Sequence, residues 1–229
     1  QNLYCALQND TITRISINGT VDNSYIVDSS IQNIKAMVLD AAFDLYILCQ
    51  TFNTAGESSG YIAKVTLQDN IINVDGSWLV DELLDDPIDI TYYPGLNQLY
   101  VISGVTPNQR LCQVTIPSDT SSPVITRIGV PFNVLYDIQG ISYSPYIGPE
   151  KDLSGNIVPS PTNVLLISNT TNTGRYEVVR ISLDYDSIDN ITNYIDVLPP
   201  VGDSPQLSYK PYTLRAADDG YVYINNRDD

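Results

Sequence analysis

Aspartate and glutamate carry most of the chemistry open to this chain, which has 27 acidic residues against 11 basic ones and no histidine. Without an imidazole, Ser-His-Asp and Cys-His nucleophile systems, His-ligated zinc and the commonest general base all fall away. Cys5, Cys49 and Cys112 are too few for a four-thiolate site. No Gly-rich phosphate loop or dinucleotide fingerprint occurs in a strand-to-helix setting, so no nucleotide cofactor is expected. Carboxylates could still act by perturbing one another or by holding Ca2+. Asp81, Glu82, Asp85, Asp86 and Asp89 crowd one connection, where like-charge repulsion could raise a pKa or recruit the ion. In a chain this acidic, a solvated loop is the weightier reading of that cluster. Asp184, Asp186 and Asp189 imitate a cation loop, but Ile188 stands at a ligand position and the required glycine is missing. The expectation is no cofactor, with Ca2+ as the one ion that could fit.

Aromatic and amide side chains offer recognition in place of catalysis. Tyr92, Tyr93, Tyr143, Tyr146, Tyr209 and Tyr212 fall near strand ends or Pro-rich connections, where a ring can present its face to a sugar or a protein. They are the ligand-contact candidates, set against packing beneath the connections as the heavier alternative. Tyr4, Tyr46 and Tyr100 sit in apolar runs and are expected in the core. Sequons at Asn9, Asn18, Asn169 and Asn190 fall at predicted turns, as glycan acceptors must, although a chain so rich in Asn, Ser and Thr generates such triplets by chance. The three cysteines lie in apolar runs and are expected as buried thiols; Cys5 with Cys49 is the one pairing the pattern allows.

These residues must be positioned by strands. One hexapeptide form returns four times, at 12–17, 62–67, 111–116 and 178–183: apolar, variable, long polar, β-branched, hydroxyl, apolar. Before each copy runs a near-continuous apolar segment, Leu3-Tyr4-Cys5-Ala6, Leu45-Tyr46-Ile47-Leu48, Leu99-Tyr100-Val101-Ile102 and Val164-Leu165-Leu166-Ile167, with Tyr221-Val222-Tyr223-Ile224 as a fifth. Such runs suit strands covered on both faces. Ahead of the last four of those lie segments 34–40, 88–94, 138–145 and 212–218, and a more polar element follows each hexapeptide, as an outermost strand should. Four antiparallel strands in fixed order, repeating at roughly 50 to 65 residues, describe an all-β chain folded as a β-propeller of about four to five four-stranded blades.

Leu99-Tyr100-Val101 followed by the strand at 111–116 resembles the YVTN/NHL-like propeller repeats, over nearly the whole chain. That resemblance implies the fold and carries no functional residue with it. A single propeller domain over 1–229 is expected, in units of approximately 1–33, 34–87, 88–137, 138–211 and a partial 212–229. The ends do not close neatly: the chain opens inside a blade, and either the termini seal a ring together or the propeller is longer. Ile147 to Asn163 interrupts a hairpin that is short elsewhere, marking a functional or merely tolerated insertion.

In this arrangement Lys35, Asp89, Gln139 and Thr213 hold equivalent second positions of the innermost strands and become the channel-lining candidates, where a small ligand would meet convergent polar groups. A formal net charge of -16 repels nucleic acid and anionic membranes, and no apolar run approaches membrane-spanning length. Protein or glycan partners remain, with a repeating assembly as one setting for them. The sequence favours a non-catalytic interaction or structural module of an extracellular, cell-surface or virion-surface assembly. The alternative is a carboxylate-dependent glycan hydrolase or lyase, with two acids facing one another at roughly 5 to 10 Å.

Overall fold

A computed structural model describes residues 2–7, 10–68, 71–128, 135–145, 150–151, 157–158, 163–183, 195–198, 211–216 and 222–226. In chain order the strands are β1 (Asn2–Ala6), β2 (Ile12–Ser16), β3 (Val21–Ile26), β4 (Ile34–Leu39), β5 (Asp44–Phe52), β6 (Ser58–Gln68), β7 (Ile71–Val80), β8 (Asp89–Tyr93), β9 (Gln98–Ser103), β10 (Arg110–Thr115), β11 (Val124–Ile128), β12 (Asp137–Ser144), β13 (Glu150–Lys151), β14 (Ile157–Val158), β15 (Val164–Thr170), β16 (Tyr176–Ser182), β17 (Ile195–Leu198), β18 (Pro211–Ala216) and β19 (Val222–Asn226). The one helical element among the described residues is a 3-10 turn at Glu82–Leu84. The strands pair antiparallel into a first sheet β1-β2-β3, a second β4-β5-β6-β7, a third β8-β9-β10-β11, a fourth β12-β15-β16-β17 and a two-stranded fifth, β18-β19. The chain is a β-propeller whose complete blades are four-stranded. The insertion expected between Ile147 and Asn163 contributes a separate small pair, β13-β14.

The apolar runs are apolar at every position because each face serves a different neighbour. On β5, Leu45, Ile47 and Cys49 pack toward the first sheet, while Tyr46 and Leu48 pack toward the third. Strand β9 repeats the arrangement, with Leu99 and Val101 on the second-sheet side and Tyr100 and Ile102 against the fourth. On β15, Leu165 and Ile167 face the third sheet and Val164 and Leu166 face the fifth. Four cores thus separate five successive sheets. Such burial is the main stabilising term, at about 25 cal/mol per Å2 of apolar surface.

The hexapeptide residues fit this scheme with one exception. Val65, Val114 and Ile181 are fully buried, each against the preceding sheet. Ile15, expected to match them, is only half-buried, and its ladder neighbours Leu3 and Val21 are 60% and 51% exposed. All three lie on the first sheet's preceding face, which no described strand covers. Cys5, on the same face as Leu3, is half-buried for that reason, whereas Cys49 and Cys112 are buried; all three thiols are free.

Candidate functional site

The inner strands bring the four channel residues together. β8 lies beside β4 and β12, and β12 beside β18. Lys35, Asp89, Gln139 and Thr213 line one cavity of about 310 Å3, joined by Arg215. Local irregularity aims two of them inward: the ladders skip Lys35 in β4 and Gln139 in β12, so each is the extra residue of a bulge. Gly140 lets the strands approach closely, since a β-carbon there would lie 3.2 Å from the Thr213 Cα and 3.3 Å from Asp89 Oδ2.

Asp89 is the centre of this arrangement and is 3% exposed. Its Oδ1 accepts from its neighbour's amide, Ile90 N–H, at 2.9 Å and from Arg215 Nη2 at 3.1 Å. Its Oδ2 accepts from Ile141 N–H at 3.0 Å and from Arg215 Nη1 at 3.0 Å. Nη1 of Arg215 also reaches the carbonyls of Leu214 at 2.7 Å and Ile141 at 3.1 Å. One ion pair therefore ties β8, β12 and β18 at the channel wall. An ionised carboxylate offers about four acceptor positions, and here four donors occupy them. Asp89 is thereby a structural anion with no lone pair left for base or nucleophile work.

The other lining groups offer recognition. Gln139 Nε2 donates to Asp137 Oδ1 at 2.7 Å, leaving the Gln139 carbonyl oxygen facing the cavity residues without a described partner. Lys35 is exposed and Thr213 half-buried, and neither side chain is engaged by another described residue. The cavity can hold a small polar molecule by hydrogen bonds.

The tyrosine candidates pack. Tyr93 is buried, with its ring 5.1 Å from that of Tyr143. Tyr143 donates its hydroxyl to Asn163 Oδ1 at 2.8 Å, and Tyr92 donates to Asn97 Oδ1 at 2.9 Å. Tyr93 is taken up by packing, whereas Tyr92 and Tyr143 are half-buried and are tied to the connections through their hydroxyls. Tyr146, Tyr209 and the side chain of Tyr212 lie outside the described residues. So do Asp184, Asp186 and Asp189, and the sequon residues Asn9 and Asn190.

Asn169 does not fall at a turn: it lies in β15, fully buried. Its Nδ2 donates to Glu177 Oε1 at 2.8 Å and its Oδ1 accepts from Tyr136 N–H at 2.9 Å. An amide engaged on both sides inside a sheet has no room for a glycan. Asn18 sits in the exposed turn between β2 and β3, as expected.

The acidic connection is built, and only one of its acids is fully solvated. Asp81 caps the 3-10 turn by accepting from Leu83 N–H at 2.8 Å, and Asp85 pairs with Arg110. Asp86 N–H donates to Ser58 Oγ at 3.2 Å, and Asp89 is in the channel wall; Glu82 alone is exposed. No group of three or more potential metal-ligating side chains occurs among the described residues. None of the described helices is long and apolar enough to cross a membrane.

Arg215 was not singled out by the sequence reading. Its signal was available: it lies two residues beyond Thr213 on one strand, hence on the same face.

No protein-family model and no curated protein matches the chain. Among solved structures it is similar to a protein from Lactobacillus plantarum, with a TM-score of 0.54 and 13% identity over 98% of this chain and 58% of that one. The chain thus spans 58% of that protein's length. Two glucose dehydrogenase structures also align, at TM-scores of 0.45 and 0.47 and 11% identity, over 96% and 100% of this chain and 91% and 90% of theirs. At this identity the first likeness bears on fold alone, and the other two are too distant to carry weight.

Proposed function

We propose that the chain is a non-catalytic interaction module of an extracellular, cell-surface or virion-surface assembly, built from YVTN/NHL-like blades. The observation that carries this reading is the state of Asp89. A glycan hydrolase or lyase working through carboxylates needs two acids facing one another, roughly 5 to 10 Å apart, with one able to exchange a proton. Asp89 is the only carboxylate among the described residues lining the central cavity, and its acceptor positions are filled by Arg215 and two backbone amides. A surface setting draws its support from composition: 19 Asn, few lysines and a net charge of -16.

Two measurements test this. Incubation with a panel of plant, bacterial and animal polysaccharides should release no new reducing ends or unsaturated products. Turnover that disappears in Asp89→Asn while the β-sheet circular dichroism spectrum persists would overturn the reading in favour of the hydrolase or lyase. Cryo-electron microscopy of the native material should show copies of this propeller in repeated contact with one another or with a fixed partner.

A further inference from the structure

The second and third sheets part company toward the rim of the propeller. Near the channel the space between them is filled by Tyr46, Leu48 and Ile62 against Ile90, Leu99 and Val101. Farther out the same space opens into a groove of about 380 Å3 whose walls are polar. One wall is the β6-β7 ladder, where Thr66 stands opposite Asn73 and Lys64 opposite Asp75, so all four share a face. The other is the connection after β10, which supplies Asp119, Thr120 and Ser121.

Trp78 lines the groove between these walls. It is brought there by a bulge: the ladder passes from Ile62↔Leu79 to Lys64↔Asp75, leaving residues 76–78 opposite Ala63 alone. Gly76 lets the bulge lie close against Ser30, since a β-carbon there would lie 2.1 Å from the Ser30 hydroxyl oxygen. The indole is half-buried and packs edge-on against Tyr46, with ring centroids 4.9 Å apart at 61°. No described residue accepts a hydrogen bond from its N–H. The side chains of Thr66, Asn73 and Thr120 are likewise unengaged by any described residue.

The geometry points to a binding site for neutral oligosaccharides in this groove, with Trp78 as the stacking surface. A pyranose has an apolar face of C–H bonds that carry slight positive charge, which suits the negative face of an aromatic ring. Its rim of hydroxyls wants short side chains that both donate and accept, which Asn73, Thr66 and Thr120 supply. The volume lies within the roughly 300–1,000 Å3 typical of ligand pockets. Charge narrows the class further. Lys64 is spent on Asp44 at 2.7 Å, leaving Asp75 and Asp119 as the charged groups of the groove. Hydrogen bonds from Ser121 hold the Asp119 carboxyl below its ordinary pKa, so it stays ionised and repels acidic sugars. A cationic ligand would suit the two acids, but a single aromatic ring forms no cage, and hydroxyls and amides outnumber the carboxylates.

This inference rests on the non-catalytic reading and supplies its ligand class; the two fail separately. Trp78 is the only tryptophan in the chain, so its fluorescence reports this groove alone. The full chain is titrated with cellotriose, xylotriose, mannotriose, maltotriose and triacetylchitotriose, with calorimetry on any that shifts the emission. At least one should saturate, and Asn73→Ala should weaken it about tenfold, equivalent to about 1.4 kcal/mol, with an unchanged thermal midpoint. Trp78→Ala should abolish binding. Because Trp78 also packs on Tyr46, Thr120→Ala serves as a second exposed variant and should weaken binding several-fold. Emission unmoved by all five sugars, sugar affinity indifferent to Asn73→Ala and Thr120→Ala, or saturation by choline or an Arg-rich peptide in their place would each overturn the site. Cleavage of a bound sugar would instead leave the groove standing and sink the non-catalytic reading.

Discussion

Arg215 spends its charge on a carboxylate that water barely reaches: the Asp89 side chain is 4% exposed and that of Arg215 is 52% exposed. Removing the arginine alone would leave a buried anion with only two amide donors. Such an uncompensated charge costs about 3 kcal/mol at the lower end of measured cases. Arg215→Met should therefore lower unfolding stability in urea by about that amount, and adding Asp89→Asn to it should recover part of the loss. An unchanged denaturation midpoint in Arg215→Met would show that the pair is not holding β8 to β18. Glu177 gives a pH test of a different kind. Burial pushes its carboxyl above the ordinary value of 4.5, only partly offset by the hydrogen bond from Asn169. For an acid whose folded pKa is raised, the folded state binds the proton more tightly, so stability is greatest at low pH and falls as pH rises from about 4.5 through the folded value. Glu177→Gln keeps an acceptor for Asn169 without the charge. It should be more stable than the parent at pH 7 and equal to it near pH 4. A variant less stable at both pH values would show that the ionised form is wanted.

At the level of strands, the sequence disclosed most of the fold because each blade writes its neighbours into its own pattern. A run such as Leu45-Tyr46-Ile47-Leu48-Cys49 has no polar face, so both faces had to be covered, and the hexapeptide after it fixed the order of pairing. What stayed hidden depended on contacts that no period encodes. The bulges at Lys35 and Gln139, and the reach of Arg215 across β12, come from strand approach in three dimensions. The bulge at 76–78 that swings Trp78 into the rim groove is equally invisible, since alternation simply breaks there. Asn169 was misplaced because an Asn-Thr-Thr triplet reads as a turn, whereas its buried partner Glu177 lies across the β15-β16 ladder. Ile15 was grouped with Val65, Val114 and Ile181 by pattern, yet burial belongs to the neighbouring sheet and not to the residue. Truncations should expose this difference. Ile181→Ala should cost about 3 kcal/mol and Val65→Ala about 2 kcal/mol, because each leaves a cavity between sheets. Ile15→Ala should cost under about 1.5 kcal/mol by the same scale, since its surroundings are already part solvent. Equal losses at all three positions, measured by chemical denaturation, would mean that the first sheet is covered in solution.

For the whole molecule, the decisive quantity is an excess of 16 negative charges over a 229-residue chain. Charge of one sign disfavours the compact state, which crowds it into a smaller volume than the unfolded chain does. Opposing this are a few ion pairs among the described residues: Arg14 with Asp22 at 3.7 Å, Lys64 with Asp44 at 2.7 Å, Arg110 with Asp85, and Arg215 with Asp89 at 3.0 Å. The first is exposed enough to contribute little, and the last is screened less because its carboxylate is buried, although its guanidinium is half exposed. Added salt therefore acts mainly on the repulsion, whose range shrinks from about 30 Å at 0.01 M to about 10 Å at 0.1 M. The thermal midpoint should rise as sodium chloride is raised from 10 to about 200 mM, the range over which that screening length collapses. Two substitutions in the acidic connection separate repulsion from pairing. Glu82→Gln removes an exposed charge that no ion pair among the described residues uses and should stabilise slightly at low salt, with the gain fading as salt is added. Asp85→Asn removes the partner of Arg110 and should destabilise by up to about 1 kcal/mol at low salt, with the loss shrinking as salt is added, because that pair is only partly buried. A midpoint that falls with salt would mean that the ion pairs outweigh the repulsion, and that the charges of the surface stabilise the fold instead of merely keeping it soluble.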